Sequence, residues 1–199
     1  MTDFYQTHYL DYHERTFQLD SSIFLEPFVA HLAPGCRILD AGCGSGRDLL
    51  WLMRHGFEVV GLERAPGLAD LARRHAGCEV VTADFEVDDL SGFNVDAVLM
   101  AGSLVHVPPS RIAGVIDNVT RALGRPQNAT SEHRNMLYLS LKQGQGTRTD
   151  ASGRVFYLWS DQTLRDCFAR RGWEIRAFCR TPSATGSDDI WLGYVLALP

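Results

Sequence analysis

Between residues 36 and 53 an apolar run turns through three closely spaced glycines into a helical stripe, and few folds accommodate that order. Cys36-Arg37-Ile38-Leu39 reads as a short buried strand. Gly42, Gly44 and Gly46 let the backbone turn sharply and approach a ligand with no Cβ in the way. Leu49, Leu50, Leu52 and Met53 then predict a helix, which Gly56 can end. The result is a strand-turn-helix corner suited to a nucleotide. A dinucleotide fingerprint needs its third glycine three residues after the second, and Arg47 holds that place here, which weakens a nicotinamide reading.

Asp40 stands just before this turn, and Glu63 ends the next apolar run, Phe57 to Leu62, 21 residues beyond Gly42. Together they resemble motif I and the following acidic strand end of class I S-adenosylmethionine (SAM) methyltransferases. The resemblance implies that the ammonium of SAM meets Asp40 and the backbone near Gly42. It also implies that Glu63 accepts both ribose hydroxyls. Cys43, Gly44, Ser45, Gly46 and Arg64 join them as expected cofactor contacts. The plainer alternative is an ordinary βαβ unit with a surface glutamate.

Further along, Cys78 to Thr82 predicts a third strand ending at Asp84-Phe85. An acid followed by an aromatic there resembles the methyltransferase element that meets adenine, although a strand-end Asp is also a common turn former. Val95 to Ala101 predicts a fourth strand. Ligands of open α/β sheets sit beyond the carboxyl ends of strands, so Ala101, Ser103 and His106 are expected near the transferred methyl group. His106 is the candidate catalytic residue. It either orients or deprotonates a nucleophile, or it holds the loop by hydrogen bonds.

Ile112, Val115, Ile116, Val119 and Leu123 form a core helix stripe, residues 124–135 read as a surface insertion, and Met136 to Leu141 predicts the fifth strand. Lys142-Gln143-Gly144-Gln145-Gly146 and Gly153-Arg154-Val155-Phe156 resemble a loop that overhangs the acceptor pocket in some bacterial methyltransferases. That likeness makes Lys142 and Arg154 candidate contacts for an anionic acceptor, against the plainer reading of solvated charges. Ser160 can cap a helix that Gly172 ends, before two final strands, Trp173 to Cys179 and Ile190 to Leu198. Tyr5 and Tyr12 belong to an aromatic N-terminal segment preceding a helix from Phe24 to Leu32, and are read as acceptor contacts in a cover over the pocket or as helix packing.

The implied fold is α/β: a doubly wound, Rossmann-like, seven-stranded and mostly parallel sheet, with helices on both faces and an antiparallel last strand. One domain is expected over residues 1–199, with 1–33 as a helical cover and 143–157 as the loop over the acceptor site. A chain of 199 residues with 45% hydrophobic content can bury a full core. Its net charge of −5 argues against a broad nucleic-acid face. The five cysteines are scattered without a C-x-x-C pair, which favours reduced thiols over zinc or disulfides. No metal, no membrane span and a cytoplasmic setting are expected. The likeness covers residues 36–123 best, and it implies a SAM-dependent transfer of methyl to a small-molecule acceptor. A non-catalytic SAM-binding regulatory module shares every cofactor residue. An NAD-dependent oxidoreductase would need a tyrosine-lysine or comparable pair after the fourth strand, which Ser103 to His106 does not offer.

Overall fold

In the computed structural model, residues 2–124 and 135–199 are described. The chain begins with three short helices, α1 (Thr2–Thr7), α2 (Tyr9–Thr16) and α3 (Ser22–Val29). It continues through β1 (Arg37–Ala41), α4 (Arg47–Arg54), β2 (Glu58–Glu63), α5 (Pro66–Ala76), β3 (Glu79–Thr82) and β4 (Ala97–Met100). A 3₁₀ turn at Leu104–His106 leads to α6 (Pro109–Thr120) and β5 (Met136–Lys142). A small hairpin, β6 (Thr147–Thr149) and β7 (Val155–Tyr157), precedes α7 (Asp161–Arg170), β8 (Glu174–Pro182) and β9 (Ile190–Ala197).

Seven strands form one sheet in the order β3-β2-β1-β4-β5-β9-β8. The pairs from β3 to β5 are parallel, and β9 runs antiparallel to both of its neighbours. This is the expected doubly wound sheet. Alternation along the strands explains the two helical layers. Ile38 of β1, with Ala97 and Leu99 of β4, packs toward Leu25 and Phe28 of α3 and Leu52 of α4. Leu39 and Ala41, with Val98 and Met100, pack toward the α6 stripe and toward Leu164 and Phe168 of α7. Phe28 and Leu25 are fully buried, which at about 1.5–3 kcal/mol per side chain suffices to dock a helix of two turns.

Several boundaries differ from the sequence expectation. β4 is four residues long because Val95 instead bridges Leu123, while the Asp96 carboxylate accepts from Arg37 N at 2.8 Å. That bridge also explains why α6 stops at Thr120 although the apolar stripe continues to Leu123. The expected loop 143–157 contains the β6-β7 hairpin, and the expected N-terminal cover has two helices ahead of the predicted one. The insertion read at 124–135 falls on residues 125–134, which lie outside the described residues. None of the described helices is long and apolar enough to cross a membrane.

The sheet order decides where a site can form. From β1 the chain winds outward through β2 to β3, then returns to place β4 on the other side of β1, which opens a crevice at the carboxyl ends. Parallel register brings Ala41 level with Leu62, and Glu63 level with Thr82, so the ends of β1, β2 and β3 reach this crevice together.

Candidate functional site at the carboxyl ends of the strands

β1 passes into the glycine turn at Gly42, whose φ of +90° is a left-handed conformation that suits glycine. Gly42 N and Cys43 N both donate to Leu62 O, at 2.8 and 3.1 Å, which ties the turn to β2. Space as well as φ demands glycine here. A Cβ on Gly42 would lie 2.5 Å from Ser103 Cβ, and one on Gly46 would lie 2.9 Å from the Ala72 backbone. The turn is thus wedged between the segment after β4 and helix α5.

Two carboxylates flank it. Glu63 is buried, with Oε2 accepting from Gly44 N at 3.0 Å and Oε1 from Ala65 N at 2.8 Å. Burial pushes its carboxyl up, and the Ala65 and Gly44 amides pull it back. Each oxygen keeps a further acceptor position. Asp40 is 2% exposed, and its Oδ2 has no hydrogen-bond partner. Burial, then the neighbouring Asp48, raise the Asp40 carboxyl well above the usual range, while Arg47 opposes them. Stranding a buried acceptor costs about 1–3 kcal/mol, and a cationic or donor group placed there would remove that cost. Asp48 itself is satisfied by Ser21 Oγ at 2.5 Å and by Arg47.

The other residues expected on the cofactor side have structural duties of their own. Asp84 forms a turn, with Oδ1 accepting from Glu86 N and Oδ2 from Arg64 at 3.3 Å. The Phe85 ring would lie 3.5 Å from a Cβ on Gly42. Ser103 Oγ is buried without a partner. Ser45 joins two histidines: its hydroxyl meets His13 Nδ1 and its carbonyl meets His75 Nδ1, each at 3.0 Å. Cys43 is buried, and burial pushes its thiol far above the range in which a thiolate forms.

The N-terminal aromatics do cover this corner. Tyr9 packs on Gly67 and Tyr12 on Gly44, while Tyr5 and Tyr12 meet edge to face at 5.2 Å. Tyr5, Tyr9 and Tyr12 rest on Ala65, Leu68 and Leu71. Beyond them lies a cavity of about 680 Å³, walled by Phe24, Tyr138, Phe156 and Trp191 among others. Tyr5, Tyr12, Ala101, Lys142 and Arg154 border it, whereas Glu63, Asp84 and His106 do not.

Three acceptor-side expectations change. His106 stands behind Tyr5: its Nδ1 lies 2.6 Å from Val155 O and its Nε2 lies 2.9 Å from the Tyr5 hydroxyl. A carbonyl only accepts, so Nδ1 carries the proton and Nε2 of the neutral ring accepts from Tyr5. Burial lowers its affinity for a second proton, opposed by the Val155 contact and aided by Arg154 and Lys142. Lys142 is no free anion binder, because Nζ pairs with buried Asp189 at 2.7 Å and sits 3.9 Å above the Phe156 ring. Arg154 is paired with Asp150 at 2.7 Å and lies 4.3 Å over Phe4. Burial works against ionised Asp150, yet Ser152 and Arg154 hold its carboxyl well below the carboxylate range. The spacing of Asp150, Ser152 and Arg154 is a turn signal that sequence reading could have used, since Asp150 Oδ1 accepts from Ser152 N and Arg154 N. For Asp189, 47 residues from Lys142, no local signal exists.

Comparison with known proteins bears on this corner directly. The Methyltransferase domain family matches residues 38–125. The ubiquinone biosynthesis O-methyltransferase of Methylocella silvestris is 41% identical over 78 residues, 37% of this chain and 30% of that protein. The magnesium-protoporphyrin O-methyltransferase of Rhodobacter capsulatus is 33% identical over 86 residues, 41% and 38% of the two chains. The chain thus spans about a third of the length of the curated relatives it matches. Among solved structures, the magnesium protoporphyrin IX methyltransferase of Synechocystis, with bound S-adenosylhomocysteine (SAH), superposes with a TM-score of 0.75 at 17% identity. That superposition covers 100% of this chain and 98% of the other. A Burkholderia thailandensis 1,6-didemethyltoxoflavin-N1-methyltransferase gives 0.73 at 19% identity, covering 96% and 84%. The matched family spans the residues that build the glycine turn and its flanking acids, inside a sheet that superposes on methyltransferases from end to end. Residues 38–125 thus match the Methyltransferase domain family, and the sheet around them has the fold of solved methyltransferases.

Proposed function

We propose that this protein transfers a methyl group from SAM to a small-molecule acceptor, and that residues 1–199 act as one domain. The observation that carries the cofactor is Asp40, a buried carboxylate with an unpartnered oxygen two residues before Gly42. An ammonium is the group that such an oxygen lacks. Asp40 and the backbone at Gly42 would hold the amino-acid end of SAM, and Glu63 would take the ribose hydroxyls on its two remaining acceptor positions. Asp84 and Phe85, with Arg64 behind them, would border the adenine. Ala101 and Ser103 would lie toward the methyl group, where the unpartnered Ser103 hydroxyl is also available.

When bound, SAM supplies a methyl group already activated by its sulfonium. What is left to the protein is to align a nucleophile and exclude water. Residues of the N-terminal helices from Phe4 to Phe24 and of the segment from Asp150 to Phe156, which line the cavity, would border the space in which that alignment occurs. Five free cysteines suit a reducing compartment, and we place the protein in the cytoplasm.

Thermal unfolding with SAM, SAH and NAD tests the cofactor, since a ligand bound only by the native state raises the midpoint. SAH is expected to stabilise and NAD to leave the midpoint unchanged. Glu63→Ala is expected to weaken SAH by about 1–3 kcal/mol in calorimetry. Unchanged SAH affinity in a folded Glu63→Ala protein would falsify the assignment.

A further inference from the structure

We infer that the acceptor is an uncharged, flat aromatic compound methylated on a hydroxyl, whose proton leaves through Tyr5 to His106. The inference rests on the methyl-transfer reading above and deepens it. The cavity walls are the first support. Phe4, Tyr5, Phe24, Tyr138, Phe156 and Trp191 line the same space, which matches a planar apolar body.

Charge is the second support. Among the described residues lining the cavity, each buried or half-buried cation already has a carboxylate: Arg47 with Asp48, Lys142 with Asp189, Arg154 with Asp150. Asp189 is also shared with Arg148, whose side chain is 45% exposed, so the surplus positive charge of that cluster is held in water. Arg15 lies at the rim alongside Asp11 and Asp20, all three exposed. Among the buried and half-buried lining residues an acceptor carboxylate or ammonium would meet no unpaired partner, and burying an unpaired charge costs far more than burying a neutral hydroxyl.

The third support is the order of groups at the wall. Tyr5 borders the cavity and His106 does not, yet the Tyr5 hydroxyl lies 2.9 Å from His106 Nε2. The Tyr5 hydroxyl thus links the cavity to the imidazole. In the step, the acceptor oxygen bonds to the methyl carbon as the carbon-sulfur bond breaks and its electron pair stays on sulfur. The acceptor proton passes to the Tyr5 oxygen while the Tyr5 proton moves to His106 Nε2. One positive charge leaves sulfur and one appears on the imidazolium, whose Nδ1 proton stays on Val155 O. Tyr5 is the catalytic residue of this step, and His106 positions it and stores the proton.

The test uses the full chain saturated with SAH, titrated with 2-naphthol, 2-naphthoate and 2-naphthylmethylammonium. The naphthol is expected to bind at least about tenfold tighter than either ion. With SAM, Tyr5→Phe is expected to lower kcat for 2-naphthol about a hundredfold while KM and SAH affinity stay near those of the parent. The pH profile separates proton storage from simple packing. Around His106 stand Tyr5 of α1, Arg154 and Phe156 of the hairpin segment, Lys142 of β5 and Arg64 after β2, with the Glu63 and Asp150 carboxylates acting on Tyr5. Turnover should therefore fall as pH drops through a histidine value below 6.5, and this limb should vanish in His106→Gln. Tighter binding or faster methylation of either ion overturns the inference, as does full kcat in Tyr5→Phe. Failure to bind SAH at all would sink the methyl-transfer reading and this inference with it, whereas SAH binding with a preference for naphthoate sinks only the acceptor class.

Discussion

Five consecutive residues, Gly42 to Gly46, make the corner proposed for the cofactor, whereas the wall proposed for the acceptor joins Tyr5 to His106 across 101 positions and His106 to Val155 across 49. The corner works through backbone: left-handed glycines, amides on Leu62 O and Glu63, and no room for a Cβ. The cavity works through side chains, which pair with one another before any ligand arrives. One region therefore tolerates little change of residue but carries an unfilled acceptor at Asp40. The other has its charges paired and offers shape and a proton path. A cofactor shared by a whole family calls for the first design, and an acceptor particular to one enzyme suits the second.

The largest effect expected from this contrast is at Gly42. Gly42→Val combines an unfavourable φ with a collision at Ser103, and should lower stability by about 3 kcal/mol or more. It should also abolish SAH binding in calorimetry. A stable Gly42→Val protein with parental SAH affinity would break the claim that this corner is defined by its backbone.

A comparable but smaller loss is expected at Asp189, on the other side of the comparison. Asp189→Ala leaves Lys142 buried without its carboxylate, which should cost about 3 kcal/mol in urea unfolding. Adding Lys142→Met to that variant should restore much of the loss, because it removes the stranded charge, and SAH affinity should hardly change in either protein. If the double variant is less stable than Asp189→Ala alone, the pair is not acting by mutual neutralisation.

The smallest effect sharpens the cofactor side. Asp40 has a carboxyl raised by burial and by Asp48, so it holds its proton to higher pH than an ordinary carboxylate. An ammonium favours the ionised form, so binding SAH expels that proton and affinity rises with pH, by at most about tenfold per pH unit below the raised value. The slope should disappear once Asp40 ionises unaided. Calorimetry in buffers of different ionisation enthalpy reads the expelled proton directly, and Asp40→Asn should abolish both the slope and the buffer dependence. A pH-independent SAH affinity in the parent protein would place the ammonium elsewhere.

What could be read before folding follows the same division. The strand-turn-helix corner, the acid at residue 63, the seven-stranded alternation and the Ser160 cap, which accepts from Thr163 N at 3.1 Å, were all legible. Each depends on residues within one turn or one strand of each other. Lys142 and Arg154 were legible as charges but not as paired charges, since Asp189 reaches Lys142 only when β5 and β9 align Lys142 with Trp191. His106 was legible as a candidate, but its place behind Tyr5 was not.

By itself, then, the sequence determined the elements whose causes are local: glycine conformations, apolar periodicity, caps, and an acid at a strand end. Tertiary structure decided which polar atoms were left over. Asp40 Oδ2 is buried and folding brought it no protein donor, while Arg154 and Lys142 lost their freedom because folding brought carboxylates to them. Whether a charged side chain binds a ligand or a neighbour depends on distances that no spacing along the chain encodes. Those distances are set only when the sheet, the N-terminal helices and the β6-β7 hairpin close around one space.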